Sequence, residues 1–189
     1  MRIGIFGGSF DPIHTGHLII AEYAREFFNL DKVIFIPVGI PSHRENKLAS
    51  NTHRFNMINL AIKNNPNFEV SDIELINDKE NYTYDTFLKL RELYKEDELI
   101  QIIGEDSADY LHLWKNYEEL IKMCKFLVFR RENYSYISKN PNILVMDSPK
   151  ISLSATFIRE RLRQGKSIKY MVSNEVEDYI KENRLYINY

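Results

Sequence analysis

One stretch near the start of the chain, Gly7-Gly8-Ser9-Phe10-Asp11-Pro12-Ile13-His14-Thr15-Gly16-His17, limits most severely what the chain can fold into. The apolar run before it, Ile3-Gly4-Ile5-Phe6, reads as a buried strand. After it come Leu18, Ile19, Ile20, Ala21, Tyr23, Ala24 and Phe27, apolar positions at helical spacing. A strand, a glycine-bearing turn and a helix start in immediate succession open an α/β chain. Gly7 and Gly8 lack a Cβ, so a phosphate can approach the backbone there. The first turn of the following helix leaves N–H groups unpaired at the positive end of its dipole, which is a place for an anion. His14 and His17, three apart, share one face of a helical turn. Two imidazoles at such a helix end can donate hydrogen bonds to a polyphosphate. Taken singly, a glycine pair is a tight turn and a lone His is a structural residue. In this order and at this spacing the set is specific.

The stretch resembles the GGxFDPxHxGH signature of the nucleotidylyltransferase superfamily. Within it, His14-Thr15-Gly16-His17 is similar to the HxGH element that those enzymes share with class I aminoacyl-tRNA synthetases. The resemblance implies that His14 and His17 bind a nucleoside triphosphate and stabilise its transition state. It also places Gly7, Gly8, Ser9 and Phe10 at the nucleotide site.

Length and composition agree with a single domain, 1–189, containing a small helical part from about residue 150. The 44% hydrophobic content supports a real core. Lys and Arg number 25 against 27 Asp and Glu, a net charge of -2, which lacks the basic excess of a duplex-binding protein. The one cysteine, Cys124, excludes an intrachain disulfide and reads as a small core residue. Met1-Arg2 leads directly into the first strand, so no targeting segment is expected. No apolar run reaches the length of a membrane span. A reducing, cytoplasmic setting is expected. The sequence is compatible with a homo-oligomer.

Further along, Lys32–Val38 reads as a second buried strand, Glu98–Gly104 as another, then Phe126–Arg131 and Asn142–Met146. Phe68–Ile76 alternates and reads as a more exposed strand. Helices are expected from Asn51, with His53 at the surface, and from the Thr83–Asp85 region, with either residue as cap. Two more should start at Ser154 or Thr156 and at Ser173 or Asn174. The expected fold is a doubly wound, mostly parallel α/β sheet, with ligands outside the carboxyl ends of the strands.

Several of these segments are similar to elements of one branch of the superfamily, the nicotinate-nucleotide adenylyltransferases. Pro37-Val38-Gly39-Ile40-Pro41-Ser42-His43-Arg44 resembles a loop whose basic residue, here Arg44, meets phosphate. Tyr82-Thr83-Tyr84-Asp85-Thr86 resembles the element that recognises the nicotinate end of the mononucleotide, which implies roles for Tyr82, Thr83 and Asp85. Gly104-Glu105-Asp106-Ser107 resembles an element whose Asp contacts the nucleotide; Asp106 as a helix cap is the plainer reading. Trp114, the only Trp, would lie against the pyridine ring, although a Trp by itself reads as core. Arg131 matches the Arg of a phosphate-binding turn, but Glu132-Asn133 replaces the usual Pro-Gly. Leu153-Ser154-Ala155-Thr156-Phe157-Ile158-Arg159 resembles the element that grips the β and γ phosphates of ATP, so Ser154, Thr156 and Arg159 join the ATP site and Arg159 the catalytic set. By this resemblance Ser9 also touches the mononucleotide, and Gly104 the ATP.

The resemblance thus implies adenylyl transfer from ATP to nicotinate mononucleotide, with Mg2+ carried by the ATP and no metal cage of protein groups. Pantetheine-phosphate adenylyltransferase or another nucleotidylyltransferase is the near alternative. A non-catalytic nucleotide-binding domain is the distant one. Nucleic acid and membrane are not expected partners. All of these expectations require the two helix openings, at His14–His17 and at Ser154–Arg159, to converge on one triphosphate.

Overall fold

The apolar opening forms β1 (Arg2–Gly8), and the helix α1 (Thr15–Phe28) follows after a six-residue turn. A computed structural model describes residues 1–41, 48–76, 80–130 and 137–187. The chain continues through β2 (Lys32–Pro37), β3 (Ile40–Pro41), α2 (Asn51–Ile62), β4 (Phe68–Val70), β5 (Glu80–Asn81) and α3 (Thr83–Leu93). Next come β6 (Glu98–Gly104), the short α4 (Glu105–Ala108), a 3-10 turn at Leu111–Leu113, α5 (Tyr117–Met123) and β7 (Lys125–Phe129). The last elements are β8 (Ile143–Met146), α6 (Ala155–Arg163) and α7 (Asn174–Glu182).

Six strands make one sheet in the order β4-β2-β1-β6-β7-β8, every neighbouring pair parallel. The register sets Phe6 beside Phe35 on one side and Ile102 on the other. Strand alternation then sorts the core into two layers. Phe6, Val33, Phe35, Ile100 and Ile102 face α1, α2, α6 and α7, whose Ala21, Met57, Ile158 and Val176 cover them. Ile3, Ile5, Ile34, Ile36 and Leu99 face the other way, onto Phe87 and Leu90 of α3 and Leu120 of α5. A sheet buried on both faces needs the continuous apolar runs that these strands carry. The expected doubly wound sheet is thereby borne out.

Where the strand order reverses decides where a ligand can sit. From β1 the chain winds outward through β2 to β4, then returns to β6 on the opposite side of β1 and winds outward again. The switch point therefore lies between β1 and β6, and a crevice opens beyond their carboxyl ends at Gly8 and Gly104.

Several local expectations change. The strand expected over 68–76 stops at Val70, and a turn closed by Leu75 N–H donating to Asp72 O (2.7 Å) follows it. Gly7 and Gly8 are not in the turn; they pair with Ile36 and Pro37 as the end of β1. Neither Thr83 nor Asp85 caps α3: Tyr82 holds the cap position and Asp85 accepts from Lys115 Nζ at 2.7 Å. Gly104, not Asp106, holds the cap position of α4. His53 is half-buried rather than at the surface, its Nδ1 3.0 Å from Tyr179 Oη of α7. Ser154 and Ser173 are the caps of α6 and α7, accepting from Phe157 N and Val176 N. Burial holds the Cys124 thiol up at about 12, so it stays protonated and inert in the core.

Candidate active site

The turn Ser9–His14 connects β1 to α1 and carries the first wall of the crevice. Phe10 is buried and takes a left-handed backbone, φ 46°. That reversal sends its ring inward, 5.7 Å from the rings of Phe6 and Phe35. Gly8 runs close beneath it, for a Cβ there would meet the Phe10 ring at 3.0 Å. The turn is further held from outside by Arg54 of α2, which is fully buried. Its guanidinium donates to Ser9 O (2.9 Å), Ala49 O (3.0 Å) and Asn51 Oδ1 (2.6 Å). Burial lowers the pKa of Arg54, yet an arginine starts so high that it stays cationic.

His14 is the N-cap of α1 and His17 its third residue. Their rings stack with centroids 3.6 Å apart and planes 25° apart. His14 N–H donates to His17 Nδ1 at 3.2 Å. A backbone N–H can only donate, so Nδ1 of His17 is the acceptor nitrogen. The neutral ring then carries its proton on Nε2 and presents it as a donor. The Phe10 ring stands edge-on to the His17 imidazole at 5.0 Å and limits its rotation. Thr15 N–H and hydroxyl both go to Met171 O, at 2.9 and 3.1 Å, which ties this helix end to the segment between α6 and α7.

Gly16 makes the histidine stack possible. A Cβ there would fall 2.9 Å from His14 Nδ1 and 3.3 Å from a methyl of Ile151. Gly16→Ala should therefore tilt His14 off His17 and slow turnover by about tenfold, since small misplacements of aligned groups cost that much or more. Steady-state rates beside a thermal melt will separate this from loss of fold, which should stay intact.

Both helix openings meet at one cleft of about 840 Å³. Gly7, Gly8, Ser9, Phe10, His14 and His17 line it from the first wall, with Gly104 and Asp106 at the end of β6. Ser154, Thr156 and Arg159 line it from the start of α6. Arg159 Nη1 donates to Asp11 O at 2.7 Å and Nη2 to Thr156 Oγ1 at 3.2 Å, so the guanidinium is braced by the first wall and by its own helix. The convergence required of the two helix starts is present.

Thr83 and Trp114 line the same cleft. Their elements pack on the opposite face of the sheet from α1 and α6, so the cleft straddles both layers. Trp114 is half-buried, edge-on to Phe126 at 6.2 Å. Tyr82 and Asp85 are not brought to the cleft wall. The Tyr82 hydroxyl donates to Glu80 and its ring lies under Lys115 Nζ at 4.9 Å, while Asp85 pairs with that same lysine. Arg44 and Arg131 lie outside the described residues.

Sequence reasoning missed Asp11, Arg54, Glu74, Asn81 and Arg130 as parts of this region. Arg130, just past β7, lines the cleft and pairs with Asp147 at 2.7 Å. Glu74 also lines it, bonded by Thr86 Oγ1 at 2.6 Å, and burial raises its carboxyl above the usual range. Asn81 Oδ1 accepts from Ile40 N at 3.2 Å. This close approach requires Gly39, since a Cβ there would meet Glu74 O at 2.1 Å and Asn81 Oδ1 at 2.5 Å. The one available signal was the glycine itself. Among the described residues no group of three His, Cys, Asp or Glu side chains could hold a metal ion, and no helix is long and apolar enough to cross a membrane.

The cytidylyltransferase-like family matches residues 5–161, which takes in both helix openings. The chain is 43% identical over 189 residues to a Fusobacterium nucleatum protein named "Probable nicotinate-nucleotide adenylyltransferase", covering 96% of this chain and 98% of that one. It is 37% identical over 186 residues to the nicotinate-nucleotide adenylyltransferase of Bacillus subtilis, covering 98% of each. Among solved structures, Plasmodium falciparum nicotinic acid mononucleotide adenylyltransferase complexed with NaAD superposes with a TM-score of 0.84 over 98% of this chain and 97% of that one. Its 23% identity speaks for the fold alone. Identity at the level of the two bacterial relatives, sustained across nearly the whole of both partners, makes this chain a member of the nicotinate-nucleotide adenylyltransferase family, inside the cytidylyltransferase-like group.

Proposed function

We propose that the cleft joins ATP to nicotinate mononucleotide, forming nicotinate adenine dinucleotide and pyrophosphate, with the triphosphate held between α1 and α6. The observation that carries this reading is the meeting of His17 and Arg159, from opposite ends of the chain, at one cleft on the sheet's switch point. The mononucleotide phosphate is an anion at neutral pH and needs no strong base. One of its oxygens attacks the α-phosphorus of ATP; the new P–O bond forms as the bond to the β-phosphate oxygen breaks. No covalent enzyme intermediate is required. The work left to the protein is alignment and stabilisation of charge on phosphate oxygens. His17 supplies Nε2–H as a donor to those oxygens, and His14 buttresses it by stacking. Arg159 and the N–H groups of the first turn of α6 receive the departing pyrophosphate. Mg2+ carried by the ATP would neutralise part of the phosphate charge, with no cluster of His, Cys, Asp or Glu among the described residues to hold it.

Trp114 and Thr83 serve the acceptor, Trp114 as a platform for the pyridine ring. A stacked ring is worth about 1–3 kcal/mol. Trp114→Ala should therefore raise KM for the mononucleotide about tenfold or more, and KM for ATP much less. The opposite order in initial-rate measurements would return Trp114 to a packing role.

Pyrophosphate release tests the whole reading. ATP is supplied with nicotinate mononucleotide, nicotinamide mononucleotide or phosphopantetheine in turn. The expected result is the highest kcat/KM with nicotinate mononucleotide. Preference for phosphopantetheine, or ATP held without turnover, would overturn it.

A further inference from the structure

We infer that Tyr186, acting through Asp11, is a positioning residue for Arg159, so that the C-terminal segment completes the ATP end of the cleft. The inference rests on Arg159 being a phosphate ligand, as read above. Asp11 is the point where three distant parts of the chain are pinned. Its Oδ1 accepts from Tyr186 Oη at 2.6 Å and from Ala49 N at 3.2 Å. Its backbone oxygen accepts from Arg159 Nη1 at 2.7 Å, and its Oδ2 stands 3.9 Å from that same nitrogen. Asp11 and Tyr186 are each only 2% exposed.

Packing alone does not explain the tyrosine. A phenylalanine would fill the same space without a hydroxyl to satisfy. The hydroxyl instead finds a carboxylate 175 residues away, in the turn that carries the histidines. The backbone is also forced: Tyr186 takes φ 65°, a conformation that a bulky residue adopts only where its surroundings demand it. The chain reverses after α7, with Leu185 N–H donating to Ile180 O at 3.0 Å, and that reversal turns the ring back into the core. Burial and the Asp11 charge push the phenol pKa up, so it remains a donor at every working pH.

The consequence for Arg159 follows from the geometry. With Oδ1 held by two donors, Oδ2 is kept at 3.9 Å from the guanidinium, too far for a tight pair. Arg159 therefore keeps donors for phosphate oxygens. Without the Tyr186 hydroxyl only the longer Ala49 N–H contact at 3.2 Å holds Oδ1, and the carboxylate can turn and close onto Arg159. The guanidinium would then be drawn towards Asp11 and away from the departing pyrophosphate.

Tyr186→Phe, Arg159→Ala and the double variant test this by steady-state kinetics with ATP and nicotinate mononucleotide. Tyr186→Phe should lower kcat about tenfold and move KM for ATP less than about twofold, because the interaction lost is one of alignment. In the Arg159→Ala background the same substitution should cost nothing further. An equal loss in both backgrounds, or no loss of kcat in Tyr186→Phe while Arg159→Ala is impaired, overturns the inference. If Arg159→Ala itself turns over normally, the reading of the ATP site beneath it fails instead. Should Tyr186→Phe not fold by itself, it is tested in an Asp11→Asn background, where the buried carboxylate left unpaired by the substitution is absent. The Asp11→Asn side chain keeps an acceptor for Tyr186 and Ala49 and has no charge to close onto Arg159, so Tyr186→Phe added to Asp11→Asn should lower kcat no more than about twofold further, and a further tenfold loss overturns the inference.

Discussion

His17→Ala is expected to cut kcat by about 10²–10³, as loss of one preorganised donor to a developing negative charge does. The structure gives this residue more than proximity. Its Nδ1 is occupied by the His14 N–H, so its donor nitrogen is assigned before substrate arrives. Its ring is clasped by the His14 stack at 3.6 Å and by the Phe10 edge at 5.0 Å, so little reorientation is needed on binding. Alanine removes the donor, and water in the vacated space is not preorganised. His17→Gln, which can still point an N–H at phosphate, should fall between wild type and alanine. The check is single-turnover kinetics at saturating ATP, with a melt to show that the half-buried position tolerates the change. A kcat within threefold of wild type would remove His17 from the mechanism.

The second large effect is on stability. Arg54→Ala should cost about 3–5 kcal/mol, the range for breaking a buried charged network from one side. In a domain of this size that corresponds to a fall in Tm of roughly 6–20 °C. Four losses combine. The carbonyls of Ala49 and Ser9 lose their donor, and so does Asn51 Oδ1. Asp11, itself buried, loses the nearby positive charge that offsets its own. Denaturant unfolding will read this directly; a shift below about 1 kcal/mol would mean that water enters and takes over the guanidinium's bonds. Activity should fall as well, because Ser9 belongs to the turn that leads to His14.

The two residues differ in how visible they were. His17 sits in a short, dense motif whose meaning is local: strand, turn and helix start impose their geometry on one another over a few bonds. Arg54 stands fourth in line after the cap of an ordinary helix, where an arginine is normally a solvated side chain. Nothing within ten residues hints that it will be fully buried. Asp85 reads as a cap or as a ligand, and its pairing with Lys115, 30 residues further on, was no easier to foresee. The alternation of 68–76 was equally real, but only Phe68–Val70 finds a partner strand, β2, and the rest turns away.

Read alone, the chain determined the parallel sheet, the glycine-to-histidine turn and the opening of α6, because each is written in contiguous residues whose hydrogen bonds close locally. Only the tertiary structure decided which buried charges brace that turn, which residues of the Tyr82–Asp85 segment reach the cleft, and that the C-terminal Tyr186 ends against Asp11. Such contacts join segments 38 to 175 residues apart. Their partners are selected by the packing of the sheet, and no spacing along the chain records them.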